Sequence, residues 1–97
     1  MRNYREERRY EHSHVGAQIE RQNGVVRIVG VAEHSPAERA GIRVRDEITA
    51  IDGRRASGLG VLELSRLMEG RPGSPIVLSL RRAERDTTLR LRRQRLL

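Results

Sequence analysis

Cysteine, tryptophan, phenylalanine and lysine are all absent from this chain of 97 residues. Without cysteine there is no disulfide framework and no thiolate metal site. Without lysine there is no phosphate-loop lysine and no Schiff-base amine. The only aromatics are Tyr4 and Tyr10, so a core has to be built from Val, Ile, Leu, Ala and Met. No run approaches the ~18 apolar residues of a membrane span, and the charged opening Met1–Glu11 lacks the pattern of a signal peptide. If the parent protein is exported, its signal lies elsewhere. A length of 97 residues accommodates one compact domain, and a hydrophobic content of 36% suffices for a modest core.

All twenty basic residues are arginine, and the net charge is +7. The excess is terminal: residues 81–97 hold seven Arg against Glu84 and Asp86, whereas residues 1–80 are close to balance. This reads as a solvated Arg-rich strand and tail. The competing reading is a surface for an anionic partner, RNA or an acidic membrane, held by Arg81, Arg82, Arg85, Arg90, Arg92, Arg93 and Arg95. Stacking aromatics are missing from that region, so nucleic acid is not the expected partner.

Residues 1–13 have mixed charge and no apolar periodicity, and read as a charged linker or disordered segment. Val15–Ile19 then leads into the Asn23-Gly24 turn, with Val25–Ala32 as the returning β-branched strand. Ser35, Pro36 and Glu38 supply an N-cap, an N1 proline and the third member of a capping box, and Gly41 ends that short helix. Asp46–Ile51 reads as a strand closed by Asp52-Gly53. A second helix is expected over Val61–Glu69 and is broken by Gly70, Pro72 and Gly73. Ile76–Leu80 and Leu89–Arg92 alternate as half-exposed strands. The order is β-β-α-β-α-β-β.

No constellation assembles an enzyme. The serines include no Gly-x-Ser-x-Gly elbow, and Ser35 beside His34 is explained by helix capping. Ile51-Asp52-Gly53 lacks the hydroxyl residue of an aspartic-protease signature. His12 and His14 are spaced as a metal pair would be but have no third ligand, so neither a metal nor any other cofactor is expected. Asp46, Glu47 and Asp52 stand at strand ends, solvated or paired with Arg.

Val15-Gly16-Ala17, then Ser35-Pro36-Ala37-Glu38-Arg39-Ala40-Gly41, then Asp46-Glu47-Ile48 and Ile51-Asp52-Gly53 together resemble the bacterial PDZ pattern. In that pattern a "GxGA" loop precedes "GSPAxxAGxxxGDxIxxIDG", a helix and "PGSxVxLxxxR". The resemblance covers residues 14–93. It is closest in kind to the PDZ domains of C-terminal processing (tail-specific) proteases, high-temperature-requirement proteases and aspartic proteases with a C-terminal PDZ domain. It implies an α+β fold, a small antiparallel β-sandwich or partly open barrel with two helices in the circularly permuted bacterial strand order. Residues 94–97 would be a tail. Two positions depart from the pattern. His14 stands where the loop's first Gly would be. Arg45 stands where the Gly before Asp would be, which implies that position 45 need not be left-handed.

The resemblance also implies a function: a non-catalytic module that captures C-terminal or extended peptide segments by adding them as a strand to a sheet edge. The ligand carboxylate would meet the amides of Val15, Gly16 and Ala17, beside His14, in an anion-binding nest. Strand Ala17–Arg21, including Gln18 and Ile19, would pair with the peptide, with Ile19 and Val15 completing the terminal side-chain pocket. Val61, Ser65 and Met68 would share the helix face toward the ligand, although Val61 and Met68 read equally well as core. Leu62, Leu64 and Leu67 are expected in the core. An apolar Val61 implies an apolar preference two residues before the ligand's terminus. The module is expected to be a monomer; its compartment is left open by the residues, and only the family analogy implies an exported or periplasmic parent protease. Its own Leu96-Leu97 terminus would be a candidate ligand for self-association.

Overall fold

The computed structural model describes residues 14–95; the N-terminal linker, His12 and the Leu96-Leu97 tail lie outside them. Six strands and two helices follow in the order β1 (Ala17–Gln22), β2 (Val25–Val31), α1 (Pro36–Arg39), β3 (Glu47–Ile51), β4 (Arg54–Arg55), α2 (Val61–Met68), β5 (Pro75–Arg82) and β6 (Arg85–Arg92). A short 3-10 turn, Ala56–Gly58, lies between β4 and α2. The sheet runs β1-β2-β3-β5-β6 with antiparallel pairing throughout, and β4 pairs with β3. The fold is an open antiparallel sheet carrying two helices, as the sequence pattern implies.

Local chemistry accounts for the elements. Asn23 and Gly24 both hold positive φ, +51° and +83°, the backbone that a two-residue hairpin requires. In α1, Ser35 Oγ accepts the Glu38 N–H at 3.2 Å and donates to Ala32 O at 2.7 Å. The return bond of the capping box goes from the His34 N–H to Glu38 Oε1, at 2.9 Å, rather than from the N-cap itself. At α2, Glu63 Oε1 accepts the Gly60 N–H at 3.2 Å, which satisfies one exposed donor at the helix start.

The core is aliphatic, as the scarcity of aromatics demands. Ile28, Ile48, Ile51, Ile76, Leu78, Val15 and Val26 are its most deeply buried members. All but Val15, which lies in the loop before β1, come from the inward positions of β2, β3 and β5, and α2 covers them with Leu64 and Met68.

Several sequence expectations are corrected. β1 begins at Ala17 and extends to Gln22, because Val15 is drawn into the core and Gly16 turns the chain. The last two strands are longer than their apolar alternation suggested. They continue through Arg81-Arg82 and Arg85–Thr88 to a turn at Ala83-Glu84, whose φ values are +49° and +65°. Arg45 does adopt a left-handed backbone, with φ of +83°, so the arginine occupies a glycine conformation. Leu62 is 73% exposed, not core, since it lies across the helix from Leu64 and Met68.

Sheet closure depends on residues flanking the strands. His14 and Gln94 form an antiparallel bridge in which each N–H donates to the other's C=O, at 3.1 and 2.8 Å. The entry to β1 is thereby tied to the exit from β6, and the sheet curls toward a barrel.

Candidate functional site

Among the described residues, β1 is paired along one side alone, by β2. Its other edge carries unpaired main-chain groups, the feature that lets a further strand add to a sheet. The loop entering this edge is held from three sides. The His14–Gln94 bridge fixes its start, Val15 C=O accepts the Ala37 N–H of α1 at 2.8 Å, and Gly16 C=O accepts the Ala32 N–H at 2.8 Å. These bonds use carbonyls. The N–H groups of Val15 and Gly16 have no acceptor among the described residues. Gly16 has φ of +87°, a conformation open to glycine and strained for other residues. Because Gly16 C=O faces β2, strand alternation turns the N–H of Ala17 toward the free edge. Three successive amides are thus left available at the head of an open strand.

Two arginines position α2 relative to β1, one through the turn before the helix and one through the segment after β6. At the far end of β1, Arg21 Nη2 donates to Leu59 O and to Ala56 O, the latter at 3.2 Å, immediately before the helix. At the near end, Arg93 donates to the helix C-terminal carbonyls, from Nη2 to Leu67 O at 2.6 Å and from Nε to Met68 O at 3.3 Å. Its Nη1 reaches Ser74 Oγ at 3.0 Å and Pro75 O at 2.9 Å. The next residue, Gln94, is the partner of His14. The helix therefore runs alongside β1 in the opposite direction, with its C-terminus beside the amide-bearing loop. A Cβ on Gly70 would come within 2.8 Å of Arg93 Cδ and Nε, so glycine is what allows the guanidinium to lie against the chain.

His14, Val15, Gly16, Ala17, Gln18 and Ile19 form one continuous run at the loop and the start of the strand. Ala17 and Ile19 are half-buried against the core, and Gln18 is exposed on the opposite face. The Val15 side chain is fully buried, so this residue presents main chain. On the helix, Val61 is 69% exposed and Ser65 is exposed, while Met68 is only 5% exposed and packs into the core. Val61 and Leu62 together make an apolar shoulder at the start of α2. Sequence reasoning did not anticipate the two arginine clamps. Arg21 and Arg93 lie in polar segments, and their acceptors are backbone carbonyls that carry no sequence signal.

The Arg-rich end is largely engaged within the fold. Arg81 pairs with Asp86, Arg82 with Asp46, Arg92 donates to Gly73 O, and Arg93 is clamped as above. Asp46 is 3% exposed. Both of its oxygens accept from Arg82 at 2.7 Å, and one also accepts the Arg43 N–H at 2.9 Å. Burial alone would raise its pKa, but the bonds from Arg82 and the Arg43 amide outweigh that, and the carboxyl is held below its ordinary value.

A family model described as PDZ domain matches residues 27–82. Carboxy-terminal processing protease CtpA of Bacillus subtilis (strain 168) is 41% identical over 69 residues, covering 71% of this chain and 15% of that protein. Among solved structures, the photosystem II D1 C-terminal processing protease superposes with a TM-score of 0.83 at 28% identity, over 90% of this chain and 24% of that one. The PDZ domain of a carboxy-terminal protease from Vibrio cholerae, solved in complex with peptide, superposes with a TM-score of 0.76 at 16% identity, over 90% of this chain and 98% of that one, a likeness of fold. The chain spans about 15% of the length of the curated relatives it matches.

Proposed function

Because the chain belongs to the PDZ domain family, we propose that it captures the C-terminal tail of another protein as an added strand on β1 and serves a protease as its substrate-recognition or regulatory module. The observation that carries this reading is the pairing of an open edge with unengaged amides: β1 lacks a second neighbour, and Val15 and Gly16 N–H lack acceptors, among the described residues. A carboxylate is the natural occupant of such a cluster of donors. The next residues of the tail would then bond along the β1 edge, giving affinity that is independent of their side chains.

Side-chain selection falls to the groove. Ala17, Ile19 and the Ser65 face of α2 flank the terminal residue, with Met68 as the buried floor. Val61 meets the ligand two residues earlier and favours an apolar side chain there. The Vibrio cholerae relative was solved with a peptide and shares the fold, which supports a peptide as the class of ligand. The name of the Bacillus subtilis relative supports a processing protease as the parent protein. The module itself is non-catalytic in this reading; cleavage would belong to another part of the parent.

The test is a titration of the 97-residue chain with fluorescent peptides ending in apolar residues, each in free-acid and C-amidated form. Binding that requires the free carboxylate is the expected result. Gly16→Val should abolish it, since a β-branched residue resists φ of +87°. Equal binding of acid and amide, or no binding of either, would exclude tail capture.

A further inference from the structure

The inward face of β1 presents Ala17, Ile19 and Arg21 in turn. Unlike Arg81 and Arg82, which pair with Asp86 and Asp46, Arg21 meets no carboxylate among the described residues. Its guanidinium donates to Gly24 O at 3.3 Å, to Ala56 O at 3.2 Å and to Leu59 O, all of them backbone carbonyls. No carboxylate among the described residues accepts from it. Glu63 is occupied by Arg54 and by the Gly60 N–H, each at 3.2 Å, and Glu20 lies on the exposed face of the strand. An arginine stays protonated in any protein environment. This half-buried group is therefore a positive charge held in place by neutral acceptors. Three of its five N–H groups are engaged; the Nε–H and one Nη1–H have no acceptor among the described residues.

Its position relative to the proposed ligand follows from strand geometry. With the ligand carboxylate at Gly16-Ala17 and the tail antiparallel to β1, the ligand's last residue lies opposite Ala17. The residue two before it then lies opposite Ile19, and the residue four before it opposite Arg21. Side chains alternate, so these three ligand residues face the same way, toward α2. We propose that Arg21 forms a subsite selective for an acidic side chain, Asp or Glu, four residues before the ligand's C-terminus. The inference rests on the tail-capture reading and adds to it a class of ligand: apolar tails with a carboxylate upstream. The three carbonyl bonds hold the guanidinium in place before the ligand arrives, so little ordering is needed when it binds.

Free-acid peptides identical except for Glu, Gln or Lys at that position, titrated at low ionic strength, provide the test. The Glu peptide should bind about fivefold more tightly than the Gln peptide, and the Lys peptide more weakly than either. Arg21→Gln should erase the ranking and Arg21→Lys should restore it in part, each variant being scored as a Glu-to-Gln ratio so that a general loss of affinity cancels. Circular dichroism melts of both variants verify that they are folded. Equal affinities for the three peptides with acid-over-amide discrimination intact would overturn the Arg21 subsite and leave tail capture standing, as would a Glu preference that survives in Arg21→Gln. Loss of acid-over-amide discrimination itself would overturn both.

Discussion

A side chain at φ of +83° costs on the order of 1 kcal/mol relative to glycine, and Arg45 bears that cost in the turn before β3. The turn holds because its main chain is pinned: the Arg45 N–H donates to Ile28 O at 2.8 Å, and Arg45 O accepts from Arg27 Nη1 at 3.2 Å. Neither bond uses the Arg45 side chain. Arg45→Gly is therefore expected to stabilise the domain by about 1 kcal/mol, read as a higher urea midpoint with an unchanged slope. The neighbouring Asp46 gives a pH dependence. Its folded pKa lies below the ordinary value of about 3.9, so its pairing with Arg82 contributes fully above that pH. The contribution fades as acid carries the pH down through the lower folded value. Asp46→Asn should cost about 2 kcal/mol at neutral pH, moderated by the partial exposure of Arg82, and should flatten the stability curve below about pH 4. Urea titrations at neutral and acid pH would measure both effects.

Among the elements, the clearest sequence signals were those with a chemical reason at a single position. Asn23-Gly24 announced a hairpin, and Ser35-Pro36 announced a helix start, because few residues serve there. The β5–β6 hairpin was read short for the converse reason. Its turn residues, Ala83 and Glu84, lack the usual preference for positive φ, and Arg81–Thr88 is too polar to show alternation. In α2 the helical period was legible, but Leu62 and Leu64 could not be told apart by hydrophobicity, only by their position around the helix. The Arg93 clamp left no sequence trace, and yet it fixes the end of α2. Arg93→Met should cost about 2 kcal/mol through unmet carbonyls and should speed hydrogen exchange in α2 more than in β5. Gly70→Ala should act in the same direction more weakly, through crowding of the same side chain at 2.8 Å. Matching exchange rates in α2 before and after Arg93→Met would refute the clamp.

For the molecule as a whole, the family pattern carried the strand order, because "SPAERAG" and "DEITAIDG" at their spacing belong to one topology. It also located the loop and the edge strand. The closure of the sheet was hidden, since His14 and Gln94 are joined by main-chain bonds that any residue but proline could make. Those bonds reach one residue past the expected end of the domain at 93. Gln94→Pro removes the donor to His14 O and is expected to reduce tail affinity severalfold while the aliphatic core stays folded. A comparison of peptide titrations with melting curves would separate the two effects.

The same bridge has a mechanical consequence. His14 and Gln94 are the points where the polypeptide enters and leaves the described domain, and they stand side by side in antiparallel register. Tension between the flanking segments would peel that pair apart, loading its two bonds in succession, before any force reached the long β5–β6 ladder. The first part to yield would be the loop at the head of β1. Pulling on the domain from either side would therefore disturb the amides proposed to hold a tail while the rest of the structure still bore the load.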